Sequence, residues 1–249
     1  MLIMIVLFTD YGQGSPYVAQ IKAVLHQHLK RPVIIDLMHE APVHQPMLSS
    51  YLLAAWSSSF ESGSVFLAVV DPDVGDRKQR AAVVVADGKW FVGPDNGLLN
   101  MVASQARKVR WWDIHWRPKD LSNTFHGRDL YARLVCKLIA REPLPGAEEV
   151  PVTARLKPFW EAQLPQVLFI DRFGNAMTGL DFSRADQNQT LIIENSGQRL
   201  SYARTFSSVP PGKGFWYGNS SGKVEIAVNR GHAAEKLNLH LGDHVRFSQ

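Results

Sequence analysis

Hydrophobic and polar positions follow two different periods along the first part of the chain. Short, nearly continuous apolar runs predict buried strands, and apolar residues spaced three and four apart predict helices. The predicted strands are residues 2–9, 33–37, 65–70, 81–86, 90–92 and 109–113, and the predicted helices are residues 17–29, 47–56 and 98–103. Apolar strands separated by helices are typical of a mostly parallel sheet that is covered on both faces. The pattern therefore predicts an α/β fold.

The pattern changes after Glu142. Five prolines between residues 143 and 165 predict a connection without regular structure. Short β-rich runs then alternate with Gly, Asn, Ser and Pro turns, which predicts a small antiparallel sandwich or barrel. These runs are residues 167–170, 191–193, 200–202, 214–217, 224–228 and 245–247. We place the boundary near residue 160, with an α/β domain over residues 1–160 and an all-β domain over residues 161–249.

Composition narrows the class of protein. The 249 residues are 45% hydrophobic and 20% charged, which is ordinary for a globular protein. The net charge is +4, but the basic residues are scattered, so we expect no nucleic-acid partner. The apolar run at residues 1–8 is too short to span a membrane and lacks the charged start of a signal peptide, which predicts a cytoplasmic protein. Cys136 is the single cysteine, which excludes an intrachain disulfide and a cysteine-built metal site.

Polar clusters follow several predicted strands, where open α/β sheets bind ligands. The clusters are Thr9-Asp10-Tyr11-Gly12, Asp36 with His39-Glu40, Asp71-Pro72-Asp73-Val74-Gly75-Asp76, and Gly93-Pro94-Asp95-Asn96-Gly97. One such cluster alone is usually a turn or a helix cap, and Asp95-Asn96 keeps that alternative. Several clusters on one sheet edge favour a concave polar site.

The segment 124–129, Thr-Phe-His-Gly-Arg-Asp, is the most informative candidate for chemistry. It precedes a run with one apolar face, formed by Leu130, Leu134, Val135, Leu138 and Ile139. His126 is therefore predicted in the turn before a buried helix, where Gly127 allows close approach of a ligand. Imidazole titrates near neutral pH. The chain has no Gly-x-Gly-x-x-Gly, Walker, His-Glu-x-x-His or Gly-x-Ser-x-Gly motif.

Seven stretches together resemble the S-adenosylmethionine (SAM) hydroxide adenosyltransferase family, whose relatives are the fluorinating and chlorinating SAM enzymes. They run in the family's order over nearly the whole chain. The stretches are TDYG…YVAQIKAVL (9–25), IIDLMHEAP (34–42), VFLAVVDPDVG (65–75), FVGPDNGLL (91–99), TFHGRD (124–129), IDRFGNAMTGL (170–180) and NSSGKVEIAVNRGHAAEKLNLHLGD (219–243).

The resemblance implies that water cleaves SAM at the ribose C5′ and releases adenosine and methionine, with no cofactor and no metal. It implies a homotrimer, with each site between the α/β domain of one subunit and the β domain of the next. The family's water-activating aspartate and histidine fall on Asp71 and His126. Lys78 occupies the position of its arginine, between Arg77 and Arg80. Lysine keeps the charge but lacks the planar fork of a guanidinium, so either Lys78 substitutes at reduced efficiency or a shift in the loop brings a neighbouring arginine into its place.

The resemblance also assigns the substrate contacts. Asp10 would bind the ribose hydroxyls, Asp171 the methionine ammonium, and Asn175 the adenine edge. The remaining assignments are Phe173 against the adenine, Ser220 and Ser221 at the methionine carboxylate, and the backbone near Val228 and Arg230 in the adenine pocket. The alternative for residues 171–175 is a simple β-turn.

Two departures from the family pattern keep other functions open. Asp73 stands where the family has a glycine, and Ser15 stands where it often has an acid near the methionine amine. One alternative is a SAM- or adenosine-binding homologue with little or no catalysis. The other is a halide-using transferase, against which the pair His126-Gly127 argues, because a desolvated halide requires small hydroxyl and apolar groups.

Overall fold

The computed structural model describes residues 3–75 and 80–248. The chain divides into two compact units, Met1–Phe159 and Trp160–Gln249. Within the described ranges, no helix is long and apolar enough to cross a membrane. Lys78 and its neighbour Arg77 lie outside the described residues.

A seven-stranded mixed sheet forms the centre of the first unit, in the order β2-β1-β3-β5-β4-β6-β7. Its strands are β1 (Met4–Thr9), β2 (Val33–Met38), β3 (Val65–Val69), β4 (Ala81–Ala86), β5 (Lys89–Pro94), β6 (Val109–Ile114) and β7 (Ala147–Val150). The β1, β2, β3 and β5 strands are parallel to one another. The β4 strand is antiparallel to both β5 and β6, so β6 again runs in the direction of β1. The predicted mostly parallel sheet is confirmed.

Helices cover both faces of this sheet. They are α1 (Pro16–His28), α2 (Pro46–Ser57), α3 (Asn100–Ser104) and α4 (Ala132–Ile139), the last preceded by one π-helical turn, Gly127–Tyr131. The α1 and α4 helices share a core with alternate strand residues such as Leu7 and Leu67. On the other face, Phe8 packs against Trp56 of α2 with ring centroids 6.5 Å apart. The alternation of side chains along each strand separates the two cores.

The seventh strand corrects one prediction. Residues 147–150 were expected to belong to a proline-rich connection, but they form β7, which pairs antiparallel with β6. Pro145 and Pro151 lie just outside the strand, and β7 is at the edge of the sheet. An edge strand needs hydrogen-bonding partners on one side only, so flanking prolines do not prevent it.

The second unit consists of two antiparallel sheets, β12-β13-β9-β8 and β11-β10-β14. Its elements are β8 (Leu164–Ile170), β9 (Ala176–Asp181), β10 (Leu191–Ile193), β11 (Arg199–Leu200), β12 (Gly214–Gly218), β13 (Lys223–Val228), α5 (Ala233–Leu237) and β14 (Val245–Phe247). Buried Trp216 joins the sheets, since its ring lies 5.0 Å from the rings of both Phe247 and Tyr202. The predicted all-β architecture is confirmed, although β9 and α5 were not predicted.

A buried ion-pair cluster fastens the β4–β5–β6 side of the first sheet. Arg155 donates from Nε to Asp113 Oδ1 at 2.9 Å, and Arg80 donates from Nη2 to Asp95 Oδ2 at 2.9 Å. The Asp113 and Asp95 side chains are only 2% and 4% exposed. Burial acts to raise the pKa of the Asp113 carboxyl, but the Arg155 guanidinium holds that pKa below its usual value. Each buried carboxylate therefore depends on an arginine.

We predict that Arg155→Met destabilises the protein by about 3–5 kcal/mol, because it leaves the Asp113 charge buried without its main partner. Arg110→Met is the matched control, since it removes the solvent-exposed pair with Glu149 and the contact of the guanidinium with the Trp112 ring, which together should cost about 1–2 kcal/mol. Urea unfolding of both variants measures the difference. Equal losses of unfolding free energy would show that the buried cluster contributes no more than a surface ion pair.

Candidate active site

A cavity of about 360 Å³ lies at the carboxyl-terminal edge of the first sheet. Two strand ends and one turn supply most of its wall. Asp10 follows β1 and Asp71 follows β3, while His126 comes from the turn before the π-helical turn. The lining residues are Asp10, Tyr11, Tyr17, Val43, His44, Val69, Asp71, Val74, Thr124, Phe125, His126 and Gly127. Three residues singled out from the sequence are thus brought into one pocket.

Each of the two carboxylates accepts a hydrogen bond from a backbone N–H. Asp10 Oδ2 accepts from the His44 backbone N–H at 3.4 Å, and Asp71 Oδ1 accepts from the Asp73 backbone N–H at 3.3 Å. Burial raises the pKa of the Asp10 carboxyl, against the lowering effect of the His44 backbone donor. Asp10 thus lies half-buried in the cavity wall, where a ligand hydroxyl can reach it.

Asp129 and its two hydrogen-bond donors, Ser122 and Arg128, form a clamp that holds the backbone around His126. Asp129 accepts from the Ser122 backbone N–H at 3.0 Å and from Arg128 Nε at 2.6 Å. Arg128 also donates to Gln20 of α1 at 2.7 Å. These bonds fix the backbone on either side of His126 against α1.

The electrostatics of the cavity favour a neutral imidazole. His126 is 8% exposed. Its burial lowers the pKa of the ring, the positive charge of Arg117 lowers that pKa further, and Asp129 partly opposes both effects. Because the pKa falls below 6.5, the ring is mostly unprotonated at neutral pH and can accept a proton.

Aromatic side chains form one side of the cavity. The Phe125 ring centroid lies 5.8 Å from that of Tyr11 and 5.0 Å from that of Tyr17. A Cβ atom added at Gly127 would lie 2.3 Å from the Tyr11 hydroxyl oxygen, so any larger residue there would displace the Tyr11 side chain. Tyr11 and His44 were not predicted as individual site residues. The only signal for Tyr11 was its position next to Asp10 at a strand end.

Two other strand-end clusters serve the scaffold instead of the cavity. Asp36 pairs with Lys22 at 2.6 Å, and His39 Nδ1 lies 2.8 Å from the Thr9 hydroxyl. Asp95 pairs with Arg80, and it does not cap α3, which begins at Asn100. Asn96 caps its own turn, accepting from the Leu98 N–H at 3.1 Å. Side chains at the same sheet edge are thus divided between packing and the cavity.

The second unit carries its own cavity, of about 630 Å³. It is lined by Asp171, Phe173, Asn175, Phe206, Tyr217, Glu225, Val228, Arg230 and Gly231. Residues 171–175 form a turn, in which Asp171 Oδ1 accepts from the Asn175 N–H at 2.8 Å and Asn175 Nδ2 donates to Asp171 Oδ2 at 2.9 Å. The segment therefore forms the turn that was the alternative interpretation, and it also lines a cavity. Phe173 is 74% exposed, so its ring is open to a ligand.

Tyr217 and Glu225 line this second cavity but were not predicted from the sequence. Tyr217 donates to Glu225, and Asn219 Nδ2 donates to the other Glu225 oxygen at 2.6 Å. Burial is the main cause of the raised pKa of the Tyr217 phenol. Ser220 and Ser221 lie in the turn after β12 and do not line the described cavity.

The described residues contain no group of three or more His, Cys, Asp or Glu side chains that could hold a metal ion. The expected absence of a metal and of a cofactor stays a prediction.

Family models and curated relatives match nearly the whole chain. Residues 5–147 match the SAM hydroxide adenosyltransferase N-terminal domain, and residues 165–246 match the corresponding C-terminal domain. The (R)-S-adenosyl-L-methionine hydrolase of Thermus thermophilus is 37% identical over 256 residues, which cover 96% of this chain and 97% of that protein. The protein of the same name from Salinispora tropica is 33% identical, over 96% of this chain and 95% of its own.

Solved structures match the fold as well. An uncharacterized conserved protein from Thermotoga maritima superposes with a TM-score of 0.88 at 29% identity, over 98% of this chain and 100% of that one. An α/β unit with carboxylates and an imidazole at its strand ends, followed by an all-β unit, defines a two-part protein with a polar cavity in each part. The chain belongs to the SAM hydroxide adenosyltransferase family.

We predict that Arg117→Met raises the pKa of the His126 imidazole. Removing a positive charge favours the protonated ring, although burial, the larger cause, keeps part of the lowering. Proton NMR titration of the ring signals measures the change, with Arg110→Met as the control that removes an exposed arginine paired to Glu149. An unchanged His126 titration in Arg117→Met would contradict this account.

Proposed function

We propose that this protein hydrolyses SAM at the ribose C5′, producing adenosine and methionine. One observation carries the proposal: Asp10, Asp71 and His126 line a single cavity at the strand ends. The names of the Thermus and Salinispora relatives support the same activity. SAM and water are the only reactants that the proposal requires.

The chemistry suits these groups. Water forms a bond to C5′ while the C5′–S bond breaks, and the bonding electron pair leaves with sulfur as a neutral thioether. The protein must hold the water in line, about 3–3.5 Å from C5′, and accept its proton. Asp71 and the neutral His126 ring perform these tasks in the proposal. Lys78 supplies the cation that stabilises hydroxide character.

The remaining predicted residues bind the substrate. In the proposal, Asp10 accepts hydrogen bonds from the two ribose hydroxyls, which a carboxylate can do with its two oxygens. In the β unit, Phe173 packs on the adenine and Asn175 binds the adenine edge. The other proposed contacts are Asp171 with the methionine ammonium, Ser220 and Ser221 with the methionine carboxylate, and the backbone near Val228 and Arg230 with the adenine.

We further propose a homotrimer in which the α/β domain of one subunit and the β domain of the next complete each site. Exposed apolar side chains at both cavities support this assembly, because such groups are favoured at interfaces. Val43 is 56% exposed at the first cavity, and Phe173 is 74% exposed at the second. The cytoplasmic location stays a prediction.

Light scattering tests the assembly, with an expected mass of three chains of 27.9 kDa each. Changing Val43 to Asp places a charge at the exposed rim of the first cavity and should shift the protein towards monomers, with a parallel loss of turnover. A parent protein that is monomeric at the concentrations of the activity assay would contradict the trimer.

The activity is tested by incubating the purified protein with SAM and separating the products by chromatography. Equal amounts of adenosine and methionine are expected. Binding of SAM without adenosine above background would instead support the binding homologue. Formation of 5′-halo-adenosine when chloride or fluoride is added would support the halide-using transferase.

In the same assay, His126→Ala should lower kcat by roughly 10²–10⁴-fold, the usual contribution of a general base. Because the reaction needs the neutral ring, the parent rate should rise with pH and level off, with its midpoint below 6.5. Adenosine binding by the variant, measured by calorimetry, controls for misfolding. Unchanged turnover would remove His126 from the mechanism.

A further inference from the structure

Tyr11 has no role in the reaction described so far, yet it lines the first cavity. Its hydroxyl oxygen approaches Gly127 so closely that an added Cβ would be 2.3 Å away. Gly127 directly follows His126, so the hydroxyl lies next to the backbone that carries the imidazole. Tyr11 itself directly follows Asp10 and lines the same cavity as Asp71.

The surroundings keep this phenol protonated. Burial is the main cause of its strongly raised pKa, and the negative charges of Asp10 and Asp71 raise that pKa further. The hydroxyl is therefore neutral. It offers one donor and an acceptor oxygen at neutral pH, and it cannot compete with the His126 ring for a proton.

Packing of the ring does not by itself require the hydroxyl. The Tyr11 ring contacts the rings of Tyr17 and Phe125 at 5.8 Å, and a phenylalanine ring would make the same contacts. Gly127 is the position that leaves room for the extra oxygen. Because Gly127 lines the same cavity, the hydroxyl oxygen beside it lies at the cavity wall.

We propose that the Tyr11 hydroxyl binds the attacking water and orients it towards C5′. This role rests on the proposed SAM hydrolysis and extends it. The water oxygen uses one lone pair to form the bond to C5′, and one of its protons passes to the base formed by Asp71 and His126. The Tyr11 oxygen accepts a hydrogen bond from the second proton, which stays on the product hydroxyl. No further reactant is needed.

Without this contact the water would lose one of the hydrogen bonds that fix its orientation. Its lone pair would point towards C5′ in a smaller fraction of encounters, while the adenosyl group would bind as before. The proposal therefore places the effect on kcat and leaves KM nearly unchanged, which distinguishes a water contact from a ribose or adenine contact.

The test compares Tyr11→Phe with the parent in the SAM assay. We expect kcat to fall roughly 10- to 100-fold, the size of one hydrogen bond to a group that develops charge, with KM and adenosine affinity within about twofold of the parent values, well below the tenfold that corresponds to 1.4 kcal/mol. Tyr202→Phe is the control, because it removes the same atom from a tyrosine that packs on Trp216 in the β unit. Thermal unfolding of both variants checks that each is folded.

The possible outcomes distinguish failure of the proposed SAM hydrolysis from failure of the proposed role of Tyr11. A parent that forms no adenosine overturns the SAM hydrolysis and this role with it. An active parent with unchanged kcat in Tyr11→Phe overturns only the water contact. A raised KM with unchanged kcat overturns it too, because the hydroxyl would then contact the substrate. If Tyr11→Phe is less stable than the parent, Tyr11→Leu provides a second, smaller side chain without a hydroxyl, and a parent-like kcat in that variant would also overturn the role.

Discussion

The parallel pairing of β1 with β3 is the constraint on which the candidate site depends. Thr9 pairs with Val69, and the Asp10 N–H donates to the Val69 carbonyl at 3.3 Å. Neighbouring strands lie about 4.8 Å apart, so the residues after these two strand ends, Asp10 and Asp71, must share one small region. A change of register would move one carboxylate to the opposite face.

The third polar group arrives by a different route. His126 belongs to a long connection from β6 to α4, and its position comes from the Asp129 clamp and the packing of α4 on α1. Burial disfavours the charged form of each ionisable group in the cavity. It raises the pKa of Asp10 and lowers that of His126. The described lining of this cavity contains the carboxylates of Asp10 and Asp71 and the imidazoles of His44 and His126.

Much of the fold follows from local patterns. The spacing of apolar residues predicted β1 to β6 and α1 to α4, with ends within a few residues of the observed ones. These helices bury one apolar face, and these strands pack against the core. The β7 strand escaped prediction, since its sequence, Ala-Glu-Glu-Val, is polar and needs only the β6 edge as a partner. The α5 helix is only five residues long, too short for a period to be visible.

The sequence by itself determined most of the segments that become strands and helices, the residues that follow the predicted strands, and the position of His126 before a buried helix. These features depend on backbone preferences and on side-chain alternation over a few residues. The tertiary structure alone decided which polar groups enter the cavity. Asp113 and its partner Arg155 are 42 positions apart, and Tyr11 meets Gly127 across most of the α/β unit. Burial, close approach and charge pairing act through space, so only the folded chain could separate the scaffold pairs from the groups that face a ligand.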